Sequence, residues 1–315
     1  RPAVMAPYFG ESAALERIGP FLAAALRHRS PVLLRGETGT GKGLVAKYIH
    51  DRSPNPGEPF VELNCAALKG ELLESELFGH SRGAFTGAVD AKEGLLERAH
   101  RGTLFLDEIG DMDVAVQSKF LKVLEEKRFR PLGRIEERVS DFRLISATHQ
   151  NIESQIQSGQ FRQDLLYRIN TLTIQMPPLR ERLEELPGLV AHMLRSVTGG
   201  RGEVAVDPGV FDLFHAYGWP GNLRELHNVL ERAYILSDGA TLHPEHFASL
   251  SPHLSQGAPT TEDSLDLDSA ERSHIVKVLG RVKGNIPEAA KLLRVSRATM
   301  YRKITQHKIS LDQAR

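Results

Sequence analysis

PVLLRGETGTGKGLVAKYIH, residues 31–50, sets an apolar run, a glycine-rich turn and a helical pattern side by side. The apolar run reads as a strand buried on both faces, and the segment after Lys42 as a helix. Between them, the glycines of GETGTGK let successive backbone N–H groups wrap an anion, and the helix N-terminus adds its own preference for negative charge. Strand, glycine turn and helix in that order predict a phosphate-binding loop, with Lys42 reaching the β- and γ-phosphates of a nucleotide. Gly36, Glu37, Thr38, Gly39, Thr40, Gly41, Lys42, Gly43 and Leu44 are the candidate nucleotide contacts. One feature departs from the usual pattern. The Ser or Thr that ordinarily follows the lysine and binds magnesium is Gly43 here.

A second apolar run, TLFLDE (103–108), ends in two acids. Ligands of open α/β sheets bind beyond the carboxyl ends of the strands, so Asp107 and Glu108 fall where the phosphates are expected. Asp107 suits a water-mediated Mg²⁺ ligand, and Glu108 suits a group that orients and polarises an attacking water. The two segments together predict an ATPase with ATP and Mg²⁺ as cofactors.

Further β-rich runs lie at FVELN (60–64), FRLISAT (142–148) and TLTIQM (171–176), with helical patterns between. In VAVQSKFLKVLEEK (114–127), Val116, Phe120, Val123 and Leu124 share one face. Strands alternating with helices predict a three-layer α/β domain around a parallel sheet. After PPLRER (177–182) the strand signals fade into helices broken by Trp-Pro-Gly at 219–221, and SPHLSQGAPTTEDS (251–264) reads as a linker. The expected division is an α/β ATPase part (8–178), a second, α-helical part (179–249), a linker (250–265) and a C-terminal all-α domain (266–315).

Over 315 residues, 40 basic and 40 acidic side chains cancel, so the chain as a whole is not an obvious polyanion binder. The balance is uneven. Arg281 to Lys308 carries eight Lys or Arg against the single acid Glu288. One cysteine, Cys65, excludes an intrachain disulfide and fits a reducing cytoplasm. No apolar run approaches the ~20 residues of a membrane helix. The chain starts at Arg1 rather than Met, as a fragment lacking an N-terminal region would.

SRGAFTGAVD (81–90) is harder to place, since it neither alternates like a strand nor suits a helix, where Gly costs about 1 kcal/mol against Ala. Taken alone, its Phe85 reads as a side chain folding back from a turn into the core. Together with ESELFGH (74–80), LFLDEIG, FRQDLLYRIN (161–170), PPLRER, WPGNLREL (219–226) and SRATMYRKI (296–304), it resembles the bacterial enhancer-binding proteins. These are AAA+ ATPases that activate sigma-54 RNA polymerase, and the resemblance spans roughly residues 8–310. It implies that Gly83, Ala84, Phe85, Thr86, Gly87 and Ala88 form a surface loop contacting sigma-54, with Phe85 and Thr86 as its working residues.

The resemblance also implies that Asn64 hydrogen-bonds Glu108 and releases it as the γ-phosphate changes. Arg162 and Arg168 resemble arginine fingers reaching a neighbouring subunit's ATP, which requires a homo-oligomer, from dimer to hexameric ring. The resemblance implies that the α-helical part (179–249) is a lid, and Arg224 resembles a lid sensor of the γ-phosphate. His149 stands at the sensor-strand position where the family most often has Asn, and Gly43 where it usually has Glu.

The basic end, residues 268–307, fits a helix-turn-helix. Ile275, Val278, Leu279, Ala289, Ala290, Leu293, Met300 and Ile304 are the expected core. Arg297, Ala298, Thr299, Arg302, Lys303, Thr305 and Gln306 are the candidate DNA contacts, and the first helix is the expected dimer element. The full reading is a cytoplasmic bacterial activator, two-component or otherwise signal-responsive. It binds double-stranded enhancer DNA and uses ATP hydrolysis to remodel the closed complex of the sigma-54 RNA polymerase holoenzyme. The alternative is a nucleotide-liganded DNA-binding regulator that acts without touching sigma-54.

Overall fold

The computed structural model describes residues 8, 12–54, 56–84, 90–200, 202–250, 275, 278, 285–293 and 297–306. The chain divides into two compact units, Arg1–Leu254 and Ser255–Arg315.

Five short apolar runs form the sheet of the first unit: β1 (Val32–Arg35), β2 (Phe60–Asn64), β3 (Thr103–Asp107), β4 (Arg143–Thr148) and β5 (Leu172–Gln175). They pair in parallel in the order β2-β3-β4-β1-β5. Alternation splits β1, β3 and β4 between two cores. Leu33, Leu104, Leu106 and Leu144 pack on one side, against Phe120 and Val123. Val32, Leu34, Phe105, Ile145 and Ala147 pack on the other, against Val45 and Ile49. A sheet covered on both faces needs apolar residues at both phases, which is why its strands read as continuous apolar runs.

Helices α1 (Gly19–Arg27) and α2 (Lys42–Asp51) cover the second face. α3 (Gly70–Phe78), α4 (Val114–Glu126) and α5 (Gln163–Ile169) accompany the first. In α4 the buried face is the expected Val116, Phe120, Val123 and Leu124, joined by a polar residue, Gln117. Its amide donates to the carbonyls of Met112 (2.7 Å) and Gln160 (2.9 Å) and accepts from the Arg162 N–H (2.8 Å), which accounts for a buried amide.

Past the sheet the chain is helical: α6 (Leu186–Val197), α7 (Pro208–Ala216) and α8 (Asn222–Leu236). Their core centres on Trp219, fully buried, with Phe214 edge-on at 5.1 Å and Tyr217 at 5.0 Å. The indole N–H donates to the Phe214 carbonyl at 2.9 Å, so a large aromatic is buried without stranding its donor.

Two antiparallel ribbons project from the α/β part. Gly79–His80 pairs with Lys92–Glu93, and Arg128–Phe129 with Arg138–Val139. The first brackets the GAFTGA segment. The Leu132 N–H donates to the Gly79 carbonyl and the Ser81 N–H to the Leu132 carbonyl, both at 2.9 Å, so the second ribbon braces the first. Gly133 allows this approach, because a Cβ there would lie 2.5 Å from Ser81 Oγ and 2.9 Å from Ala84 Cβ. Gly83 adopts φ +78°, and the Ala84 N–H closes a turn onto the Ser81 carbonyl at 3.2 Å. Phe85, Thr86, Gly87 and Ala88 lie outside the described residues, as does the linker from 251 onward.

In the second unit, α9 (Ile286–Leu292) starts at Asn285, whose side chain caps the Glu288 N–H, and α10 is Arg297–Gln306. Ile275, Ala289, Ala290, Met300 and Ile304 are buried as expected, with Val278 and Leu293 partly so; Ile286 joins them. Leu279 lies outside the described residues, and so does the turn between α9 and α10. Among the described residues no helix is long and apolar enough to cross a membrane.

Candidate functional site: a nucleotide pocket beneath the lid

The parallel register carries the ends of β1, β2, β3 and β4 to one edge, with Asn64 opposite Asp107 and Arg35 opposite Thr148. Above that edge lies a cavity of about 810 Å³. Thr38 to Leu44, Asn64, Asp107, Glu108, His149 and Arg224 line it. Most residues proposed for nucleotide binding therefore converge in one place. Tyr8, Leu15 and Met176 also line the cavity, with Leu189, Met193 and Leu223 of the lid beside the polar Arg182, His192 and His227.

Backbone geometry explains the glycines. Gly36 and Gly39 adopt φ +153° and +83°, and Gly41 opens α2 at φ +92°. A Cβ on Gly36 would lie 2.8 Å from the Met176 carbonyl oxygen, and one on Gly39 only 2.2 Å from that of Gly221. Gly43 differs: a Cβ there would meet only Phe105, at 3.8 Å. Space therefore does not require glycine at 43.

Lys42 is buried, with Nζ donating to the carbonyls of Gly36 (2.9 Å) and Glu37 (3.2 Å) and lying 3.9 Å from Glu108 Oε1. Burial pulls its pKa below the usual lysine value, and the charges of Glu108 and Asp107 pull the other way. Asp107 is pushed up, first by burial and then by the like charge of Glu108. The Asp107 carboxylate, whose charge is made costly by burial and by its acidic neighbour, suits a cation, so the pair fits a Mg²⁺ ion. Glu108 adopts φ +51°, a left-handed conformation that costs an L-residue about 1–2 kcal/mol. Such strain clusters at functional sites.

His149, rather than Asn64, holds the Glu108 carboxylate. Its Nδ1 lies 2.7 Å from Glu108 Oε2, and its backbone N–H donates to the same oxygen at 3.2 Å. The expected Asn64–Glu108 hydrogen bond is not formed. Asn64 Oδ1 accepts from the Ala66 N–H at 2.9 Å and caps a turn, the ordinary role of Asn at a strand end.

Glu37 is likewise turned away from the cavity. Arg180 donates to both its oxygens (2.8 and 2.6 Å), and Asn222 Nδ2 to one of them (3.1 Å). The paired Arg180 holds the Glu37 carboxyl below the usual carboxylate range. Asn222 is fully buried; it also donates to the Thr38 carbonyl (3.1 Å) and accepts from the Leu179 N–H (2.8 Å). The Arg224 N–H adds a bond to the Gly39 carbonyl at 3.3 Å. The lid is thus bonded directly to the phosphate-binding loop. Sequence reading missed Arg180 and Asn222, although both stand in motifs it had singled out.

Arg224 lines the cavity, and Glu225, a ready ion-pair partner in sequence, is occupied by the Tyr217 hydroxyl (2.7 Å) and the Gly221 N–H (2.8 Å). Arg162 and Arg168 do not line it. Arg162 is bidentate to Asp164 (3.0 and 2.7 Å), and Arg168 donates to the Leu124 carbonyl at 3.0 Å.

On α10, Arg297 and Arg302 are exposed, while Thr299 and Lys303 are half-buried. Ala298, Thr305 and Gln306 belong to the helix, but their side chains lie outside those described.

The Sigma-54 interaction domain matches residues 8–175, the AAA+ ATPase lid domain residues 180–266, and the Fis-family bacterial regulatory domain residues 267–307. AtoC of Escherichia coli is 40% identical over 294 residues, spanning 89% of this chain and 63% of AtoC. ZraR of the same organism is 40% identical over 315 residues, spanning 97% of this chain and 70% of ZraR. The chain thus covers less than two thirds of AtoC. The crystal structure of NtrX from Brucella abortus in complex with ATP superposes with a TM-score of 0.74 at 31% identity, covering 98% of this chain and 71% of that one. RuvB of Thermotoga maritima, at 16% identity and a TM-score of 0.51, shares the fold. The chain belongs to the sigma-54 interaction family of AAA+ ATPases, with an AAA+ lid and a Fis-type helix-turn-helix.

Proposed function

We propose that this chain is the ATP-driven, DNA-bound part of a sigma-54-dependent transcriptional activator acting in the bacterial cytoplasm. The observation that carries the reading is the meeting of Lys42, Asp107, Glu108 and Arg224 in one cavity, within a chain matched along its length by the three domains of that family. NtrX, its structural relative, has been crystallised with ATP and with ADP.

With ATP in the cavity, Lys42 exchanges its two backbone carbonyls for phosphate oxygens. Glu108 orients the attacking water and accepts its proton, while His149 keeps the carboxylate aimed. Asp107 would hold Mg²⁺, which supplies charge neutralisation at the phosphates. Arg224 links the lid to the γ-phosphate. Arg162 and Arg168, on or beside α5 and away from their own chain's cavity, act on the nucleotide of a neighbouring copy, so the active form is a ring, taken as a hexamer. Each cycle then moves the Phe85/Thr86 loop against sigma-54, and α10 keeps the assembly on enhancer DNA through Arg297, Arg302 and their neighbours. The division at 178, 249 and 265 follows these tasks.

Arg168→Ala is expected to abolish ATP hydrolysis while leaving ATP binding intact, because a finger supplied in trans is worth ~10³–10⁵ in rate. Steady-state turnover and nucleotide titration measure the two separately. Unchanged turnover would remove the finger assignment.

A further inference from the structure

At the opposite edge of the sheet from the nucleotide loops, Thr103 and Arg143 stand side by side as register partners at the first positions of β3 and β4. Arg143 is 3% exposed. One of its terminal nitrogens donates to the Ala25 carbonyl, but Nε and Nη1 are buried with no protein partner. A guanidinium is planar and carries five N–H donors, so a buried Nε and Nη1 without an acceptor leave three of them unpaired, a specific deficit. Leaving them so is expensive, and a buried charge without a counter-charge more so.

No acid corrects it. The small cavity beside Arg143 is lined by Arg29, Arg101, Ser53, Pro54, Gly102 and Thr103, and none of these is acidic. Among the described residues, Arg29, Arg101 and Arg143 form no ion pair within 4 Å. Instead a second cation stands nearby: the charge of Arg29 acts on Arg143, and its guanidinium donates to the Arg101 backbone carbonyl at 3.2 Å. Burial and the charge of Arg29 push Arg143 down to about 10, and no acid opposes them. Arg101 is held at φ +65°, with its N–H on the Asp141 carbonyl at 2.7 Å, so this corner keeps an arginine where the backbone favours glycine.

We propose that Arg143, Arg29 and Arg101 form a binding site for a small monovalent anion of the halide class, at the end of the sheet remote from ATP. The cavity volume of about 10 Å³ is on the scale of one water, which excludes phosphate or a nucleotide and leaves a monatomic anion as the charged ligand of nearest size. The hydroxyls of Ser53 and Thr103 supply further polar lining, and Thr103 Oγ1 already bonds His50 Nδ1 at 2.9 Å. The bound anion completes the hydrogen bonding of Arg143 at the start of β4, the strand that ends at Thr148 beside His149.

The test is thermal unfolding of the full chain in sodium chloride against sodium gluconate at equal ionic strength, with bromide-soaked crystals measured for anomalous scattering. A saturable rise in melting temperature specific to chloride is expected, together with a bromide peak within hydrogen-bonding distance of Arg143 Nε or Nη1. Arg101→Gly suits the local φ and should fold, and it should weaken the apparent chloride affinity about tenfold or more through loss of a nearby cation. Arg29→Gln should act in the same direction. Water density without a bromide peak would overturn the proposal. So would equal responses to chloride and gluconate, or a chloride response identical in wild type and Arg101→Gly.

Discussion

The nucleotide pocket and the C-terminal helices reach their chemistry by opposite routes. In the pocket the working groups are backbone amides and half-buried or buried side chains: Lys42 at 6% exposure, Glu108 at 13%, and glycines that admit no Cβ. In the C-terminal unit a small apolar core built on Ile275, Ile286, Ala289, Ala290, Met300 and Ile304 holds α9 against α10, and Arg297 and Arg302 stand exposed. A site built of buried parts is brittle, because each removal strands partners that water cannot reach. A site built of exposed parts degrades in increments. Damage should therefore be steep in the first region and graded in the second.

The steepest effect is expected at Lys42→Ala. Loss of a positioned donor to developing phosphate charge should lower ATP turnover at least ~10²-fold, measured as phosphate release. Turnover within a few-fold of wild type would remove Lys42 from the site. Trp219→Ala comes next. It empties the centre of the lid core and should cost about 3–5 kcal/mol in chemical denaturation, with DNA affinity per C-terminal unit unchanged.

Arg302→Ala should be milder and of a different kind. Duplex binding should weaken by about 1–3 kcal/mol if the side chain reads a base, or uniformly across sequences with a shallower salt slope if it holds a phosphate. Melting temperature should not move, since the side chain is exposed. The smallest effect is expected at Glu37→Gln, where the half-exposed ion pair with Arg180 limits the loss to less than about 1 kcal/mol. Its pH dependence carries the information. Because Arg180 lowers the Glu37 pKa in the folded chain, the latch is fully present at neutral pH, above the ordinary glutamate value, and is lost as pH falls through the lower folded-state value. The wild-type minus Glu37→Gln stability difference should shrink over that range; a constant difference would show that the latch carries no charge-dependent stability.

The same contrast explains what could be read in advance. The β-strands and the phosphate-binding loop were legible because both impose strong local patterns, apolar runs in one case and fixed glycines in the other. Asp107 and Glu108 were legible because a parallel sheet fixes where its strand ends lie. Which side chain holds Glu108 was not. Asn64 ends β2 and His149 follows the end of β4, both beside it, and only the positions of their side chains give the bond to His149. The bonds from Arg180 and Asn222 to Glu37 span 143 and 185 residues, and no local pattern announces a contact of that kind. Gln117 reads as an ordinary polar member of α4 until its two carbonyl partners and the Arg162 N–H are seen. Arg101, in an unremarkable AHRGT run, gave no sign of its left-handed backbone.

The central claim is that nucleotide state governs contact with sigma-54. Capture of purified sigma-54 by the full chain, with and without an ATP transition-state mimic and with Thr86→Ala as control, tests it most directly. The account predicts capture by wild type only when the mimic is bound, and none by Thr86→Ala, which should still bind nucleotide and DNA. Absence of capture by wild type with the ring assembled and nucleotide bound would contradict it, and would favour a nucleotide-liganded DNA-binding regulator that does not touch sigma-54.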